Sequence, residues 1–221
     1  PINRIGVLGL SITSLTVPDD LVRTITQPEG TGESWGAQDL AANLCFAKKL
    51  SDKFSIGGNI KYIQQSIWHS HANTLALDLG ALFITPIKGI RLGVSLANYG
   101  NTLSLTGRDQ KLSIDPDPVN QGNVEFVNSL YETETFPLPL IFRVGISGDM
   151  LIHKKIRLSY GIDALHPNDN TEAVNSGIEL AIGETFFLRG GYANLFRETS
   201  EEGLTLGGGF HYRLWGTQTI L

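Results

Sequence analysis

Cysteine is nearly absent from the 221 residues: Cys45 stands alone, so no internal disulfide can staple the chain. Its setting in NLCFA suits a small residue on a strand. Long hydrophobic runs are missing too. No stretch approaches the ~18 apolar residues of a membrane helix, so any crossing of a bilayer falls to strands. Charge is sparse, at 18% of residues against roughly 25% in ordinary soluble domains, which leaves little surface suited to bulk water. The net charge of -5 comes without a basic cluster, and this excludes the electrostatic footprint of a nucleic-acid binder. The chain opens at Pro1 with neither an initiator Met nor a signal peptide, the pattern expected of a processed or partial product.

What the chain has instead is alternation. In FSIGGNIKYIQQSI, residues Phe54, Ile56, Gly58, Ile60 and Tyr62 share one face, opposite Ser55, Gly57, Asn59 and Lys61. In TLALDLGALFIT, Leu75, Leu77, Leu79, Ala81 and Phe83 oppose Thr74, Ala76, Asp78 and Gly80. Each run is about a dozen residues, twice the usual soluble strand and close to the nine to eleven that a tilted strand needs to cross a bilayer. The same period returns over Asp39–Leu50, Ile90–Tyr99, Leu138–Ser147, KIRLSYGIDAL, AVNSGIELAI, FFLRGGYANL and LTLGGGFHYRLW, and Gly216–Leu221 is expected to begin one more strand. Ile5–Val17 is apolar on both parities, and so consistent with protein on both sides. Length and pattern predict one β domain over 1–221. Glycine, at 25 residues, suits strands crowded around a confined interior.

Two regularities favour a transmembrane barrel over a soluble sandwich. Tight turns near 51, 87, 151, 184 and 216 alternate with longer connections near 28, 70, 118, 169 and 200, as when every second turn lies on one side of a membrane. The longest of these are Pro18–Gln38 and Gly100–Pro137. Second, Lys61, Asp78, Arg91, Arg143, Arg157, Asp163, Glu179 and Arg189 all fall on the parity rich in Gly, Ser, Ala and Asn. A lipid-facing Arg or Lys at the midplane would cost about 2 to 4 kcal/mol, so these eight are expected to face a lumen, where opposite charges pair as an internal network. Trp35, Trp68, Tyr99, Phe136, Phe186 and Trp215 lie near strand ends, where an interfacial girdle would sit.

Catalytic and metal signatures are weak. His69 and His71 flank Ser70 at a loop tip, but no Cys, Asp or Glu nearby completes a metal site, so they read as solvated histidines. His166, Asn168, Asp169, Asn170 and Glu172 lack the glycine and spacing of a calcium loop and read as a polar turn. Gly207, Gly208 and Gly209 sit inside a strand rather than before a helix, against a phosphate cradle. Glu201 and Glu202 lie in a loop, and no nucleophile and base occur in a positioning context. The expectation is no enzyme, no metal and no cofactor.

Taken in order, FSIGGNIKYIQQSI, LALDLGALF, IRLGVSLANYG, FPLPLIFRVGIS, VNSGIEL, FFLRGGYANLF and GLTLGGGF make the chain resemble the PorV/PorQ family over most of residues 39–215. The resemblance implies an antiparallel up-and-down outer-membrane β-barrel, FadL-like and about fourteen-stranded, in Bacteroidota-like Gram-negative bacteria. It also implies a part in type IX secretion, with a large translocon and/or cargo C-terminal domains as partners beside outer-membrane lipid. The family's N-terminal Asn-Pro-Ala-Gly-Leu part and closing aromatic strand have no counterpart here. The ten or eleven strands counted are too few for a fourteen-stranded closure, so the chain is expected to be a partial barrel. Partner binding is expected through the two long loops, with Trp35, Tyr131 and Phe136 as anchors. A FadL-like channel for hydrophobic small molecules and a soluble β-sandwich binding module remain the alternatives.

Overall fold

The computed structural model describes residues 5–87, 89–116, 119, 126–195, 203–214 and 217–220, with side chains as far as His211. Strands in chain order are β1 (Val7–Leu21), β2 (Ser34–Lys49), β3 (Phe54–Ile67), β4 (Ser70–Ile84), β5 (Ile90–Gly100), β6 (Thr106–Gly107), β7 (Lys111–Ile114), β8 (Val127–Leu130), β9 (Ile141–His153), β10 (Ile156–Pro167), β11 (Ala173–Ile182), β12 (Phe186–Leu195), β13 (Leu204–Leu214) and β14 (Thr217–Ile220). The helical content among the described residues is one short turn, Arg108–Gln110.

Twelve strands form one antiparallel sheet in the order β1-β2-β3-β4-β5-β9-β10-β11-β12-β13-β14, with β6 added to β4, while β7 and β8 form a separate hairpin. Apart from the step from β5 to β9, each strand pairs with its successor, which is up-and-down topology. The sheet curls on itself, because residues of β1–β5 and of β9–β13 line one common cavity. It is the wall of an up-and-down barrel; among the described strands, β1 and β14 are its two edges and are not hydrogen bonded to each other. Among the described residues the long strands all join one sheet, which is up-and-down and not a sandwich.

The wall follows from the period of two. On β4, Thr74 and Ala76 are buried against the inside while Leu75, Leu77 and Leu79 stand exposed on the outside. Leu92 and Val94 on β5 and Phe142 and Val144 on β9 continue the exposed apolar face. So many large exposed apolar side chains cannot face water. They fit a hydrocarbon layer, and the spanning strands, 10 to 16 residues long, are long enough to cross one.

Several expected boundaries shift. β1 extends to Leu21 and β2 begins at Ser34, so the first long connection is 22–33 rather than Pro18–Gln38. Pro18 is accommodated because β1 is an edge strand and its register with β2 slips between Val17 and Asp20, where no ladder donor is needed. The connection near 70 is tight instead of long: Ile67 pairs with Ser70, leaving Trp68 and His69 as a two-residue turn with Trp68 at φ 50°. The polar residues His71 and Asn73 continue the ladder with β3, so the alternation of short and long connections fails here, and the connection 168–172 is no longer than the tight one at 85–89. Between Gly100 and Pro137 the chain carries β6, the 108–110 turn, β7 and β8. Trp215, Glu201 and Glu202 lie outside the described residues, as do Gly216 and Leu221 at the ends of the expected last strand, whose middle is β14.

The assignment of faces has a direct test. Leu79→Arg, outward on β4, is expected to cost about 2 to 4 kcal/mol in urea unfolding of the lipid-inserted protein. Gly80→Ala, one residue on and facing inward with ordinary contact to the Val94 carbonyl, is expected to be near neutral. Equal costs would mean that the faces are reversed.

Candidate functional site

The cavity on the concave side of the sheet, open to its surroundings, measures about 1380 Å³. Among its lining residues are Gly57, Gly80, Gly93, Gly145, Gly161 and Gly177, one small position on each of six strands. A Cβ added at Gly93 would meet nothing, and at Gly161 or Gly177 it would make only ordinary contacts. Glycine therefore keeps this interior wide, rather than relieving the crowding that composition alone suggested.

Asp78, Arg143, Asp163, Glu179 and Arg189 line the cavity, and Lys61, Arg91 and Arg157 pair with groups on the same face. On β5 through β12 the charges form an alternating chain. Arg91 Nη2 lies 2.6 Å from Asp149 Oδ2, Arg157 lies 3.7 Å from Asp149 and 3.5 Å from Glu179, and Arg189 Nε donates to Glu179 Oε2 at 2.7 Å. Arg157 also donates to Glu184 in the β11–β12 turn at 3.0 Å, and this hydrogen bond holds the Glu184 carboxyl below its usual range. Arg143 faces Asp163 at 3.9 Å. Asp149 escaped the sequence reading because Gly148–Lys154 looked like a turn. The parity of Arg143, Gly145 and Ser147, carried two residues further, would have found it.

A second group is centred on Asp78. Lys61 Nζ lies 2.7 Å from Asp78 Oδ2 and donates to Asn98 Oδ1 at 2.8 Å, Asn59 Nδ2 donates to Asp78 Oδ2 at 3.0 Å, and the Asn98 backbone N–H donates to Asp78 Oδ1 at 2.8 Å. That backbone N–H is available because β5 bulges: the register with β4 slips between Leu77 and Leu79, and Asn98 takes φ 62°. Asn tolerates this left-handed conformation better than most side chains. The device recurs on β12, where Asn194 has φ 53° at a register slip and its N–H donates to Asn175 Oδ1 at 2.9 Å. Asn175 Nδ2 in turn reaches Asp163 Oδ2 at 3.4 Å. The sequence carries no distinct signal for either bulge: Ala-Asn stands at 97–98 and 193–194, but also at 42–43 and 72–73, where the ladder runs unbroken.

At the rim, the expected anchors separate. Trp35 lies within β2, paired with Asp20, and not in a loop. Phe136 is tied by a backbone bridge to Leu103. Tyr131 is well exposed beside the β7–β8 hairpin, its N–H bound to the Gln110 carbonyl. His69 is not a solvated histidine: its ring stacks on Trp68, its Nδ1 lies 2.5 Å from Asp109 Oδ2 and its Nε2 lies 2.6 Å from Arg108 Nη2. His71 stays exposed, and His166 pairs with Glu172. Among the described residues no group of three His, Cys, Asp or Glu side chains could hold a metal ion.

Asp78→Leu leaves Lys61 without its counter-charge and the Asn98 N–H without its acceptor, and is expected to lower stability by about 1 to 3 kcal/mol. The double variant Lys61→Met, Asp78→Leu is expected to recover part of that loss in denaturant unfolding, because the stranded charge is gone.

No protein-family model matches the chain, and no curated protein does. Among solved structures it is similar to the Pseudomonas putida toluene transporter TodX, at 13% identity over 93% of this chain and 69% of that one, TM-score 0.42. It is also similar to a TodX ΔS2S3 mutant described as a monoaromatic hydrocarbon channel, at 13% identity over 92% and 69%, TM-score 0.45. A third likeness is to the translocator domain of the autotransporter NalP from Neisseria meningitidis, at 13% identity over 94% of this chain and 87% of that one, TM-score 0.29.

Proposed function

We propose that this chain is the barrel of an outer-membrane protein of the PorV/PorQ type, from a Bacteroidota-like Gram-negative bacterium, that works without catalysis by holding a protein partner at its outer rim. The partner would be a large secretion translocon and/or the C-terminal β domain of exported cargo. The observation that carries this reading is the β7–β8 hairpin. Among the described strands it joins no other, and Phe126, Leu130 and Tyr131 are exposed on or beside it. Exposed apolar side chains on a small hairpin that is not hydrogen bonded into the barrel wall are what a docking surface needs. The resemblance of the strand motifs supports the same reading. The lumen charges are engaged with one another, which leaves the loops as the better place for recognition.

A second reading rests on the cavity of about 1380 Å³, large enough for a drug-sized molecule. In it the barrel passes small hydrophobic molecules across the membrane.

The test is purification from the native outer membrane in mild detergent, with and without replacement of residues 111–130 by a short Gly-Ser linker. A very large barrel, or proteins sharing a C-terminal β domain, should remain bound to the intact protein and be lost from the linker variant, while both keep the heat-modifiable gel mobility of a folded barrel. Recovery alone with bound fatty acid or hydrocarbon would establish the passage reading instead. Partner retention by the linker variant would overturn the hairpin as the docking element.

A further inference from the structure

Most of the described apolar core lies where the connection between β5 and β9 meets the inner side of β4. Leu103 and Leu138 are 2% and 6% exposed, and they pack with Ala72 and Ala76 and against Ile63 and Leu105. Ala72 and Ala76 share the parity of Asp78, so they face inward. The two leucines therefore lie inside the barrel, although each comes from the connection between β5 and β9.

That connection is held there from several sides. Its two stems, 101–110 and 131–140, are joined by paired backbone hydrogen bonds between Leu103 and Phe136 at 2.8 and 2.9 Å. Thr133 Oγ1 donates to the Leu105 carbonyl at 2.6 Å. Thr74, buried on β4, donates to the Asn101 carbonyl at 3.3 Å. From the opposite flank, the Asn168 N–H and Nδ2 donate to the carbonyls of Leu140 and Leu138, each at 3.0 Å. Underneath, Asn98 Nδ2 donates to the Pro139 carbonyl at 2.9 Å while its Oδ1 accepts from Lys61. A Cβ at Gly100 would collide with the Leu75 carbonyl and a Leu138 methyl, so glycine allows the stem to turn in this closely.

We propose that the paired stems are an inward-folded constriction: they hold Leu103 and Leu138 in the outer mouth of the lumen, seated on the Lys61–Asp78–Asn98 group, and set the size of solute that can enter from outside. The inference does not depend on the docking reading, because it concerns the inner side of the connection and not the hairpin at its tip. Closure is steric and apolar, with no free charge in the seat. At the two leucines the constriction selects by size, while the exposed carboxylates of Glu132 and Glu134 lie further along the returning stem.

The experiment uses the protein purified from its outer membrane and reconstituted into phospholipid vesicles, with osmotic swelling in sugars from arabinose up to stachyose. The native protein is expected to admit the smallest sugar slowly and the largest not at all. Leu103→Ser with Leu138→Ser should speed entry several-fold and raise the size cut-off, and Leu103→Ile should leave both unchanged. A second measurement covers failure of the serine variant to fold. In a Cys45→Ser background on intact cells, Leu103→Cys should react with a membrane-impermeant maleimide many-fold more slowly than Tyr131→Cys, and adding Asp78→Leu should remove much of that protection. Rapid entry of large sugars through the native protein, or labelling of Leu103→Cys as fast as Tyr131→Cys, would overturn the proposal.

Discussion

Inside a hydrocarbon layer every backbone N–H and C=O must find its partner within the protein, and each strand of this chain meets that demand by pairing sideways. Pairing fixes the period at two, and the period divides the side chains between lipid and lumen. Register is then set by charge. A slip of one residue would carry Asp78, Arg143, Asp163, Glu179 and Arg189 to the lipid face and turn Leu77, Leu79, Val144 and Leu188 inward. With about 2 to 4 kcal/mol at stake for each Arg placed at the midplane, no plausible gain in packing could offset the slip. The alternating chain from Arg91 through Asp149, Arg157 and Glu179 to Arg189 adds a second tie, since each pair bridges different strands. Register on β5 and β9 through β12 is thus set by the face that a strand shows to lipid and by the partner that its charge meets inside.

Where the period has to be broken, the chain uses one local device twice. An extra residue on β5 and another on β12 push Asn98 and Asn194 into left-handed backbone, and a carboxylate or amide on the preceding strand accepts the N–H that the broken ladder frees. The break on β5 has a structural consequence. Beyond Asn98, Tyr99 still pairs with Leu77 and Gly100 with Ala76, but the bulge bends the strand and changes the facing of the residues after it. The chain then enters the mouth of the barrel, where Leu103 is buried. Asp78 therefore serves three ends at once: it neutralises Lys61, it caps the bulge, and through Asn98 it supports the Pro139 carbonyl of the returning stem.

The strands, their facing and the parity of the eight charged residues were legible in the sequence because each is a local, repeating property. The errors fall where local pattern and tertiary need part company. Ser70–Asn73 reads as a polar tip, yet it continues the β3–β4 ladder, since a hairpin that projects past the lipid no longer needs an apolar face. Pro18 reads as a loop former, yet an edge strand has a side on which a missing donor does no harm. His69 reads as solvated because its partners, Arg108 and Asp109, are some 40 residues away in sequence. Leu103 showed no period at all, and Leu138 reads as the first residue of the apolar face of Leu138–Ser147, whereas the strand begins only at Ile141 and Leu138 is buried. Their burial depends on contacts between segments far apart in the chain, and alternation carries no record of such contacts.

The lumen and the rim differ in what they leave unsatisfied, and that difference bears on function. Each of the eight charges singled out on the inner face lies within 4 Å of an opposite charge, so the interior offers little net field to attract or orient a charged solute. Its walls are small residues that keep space open without specifying a shape. The connection between β5 and β9 is sided differently. Its stems bury Leu103 and Leu138 and satisfy the Leu105, Leu138, Pro139 and Leu140 carbonyls, while Phe126, Leu130 and Tyr131 on or beside the hairpin are exposed. A segment anchored on one side and apolar on the other is preorganised for a macromolecular partner, because the cost of ordering it has been met by the barrel before the partner arrives. By that reasoning the rigid inner seat and the proposed docking surface are two sides of one element, which the barrel would hold at the membrane surface.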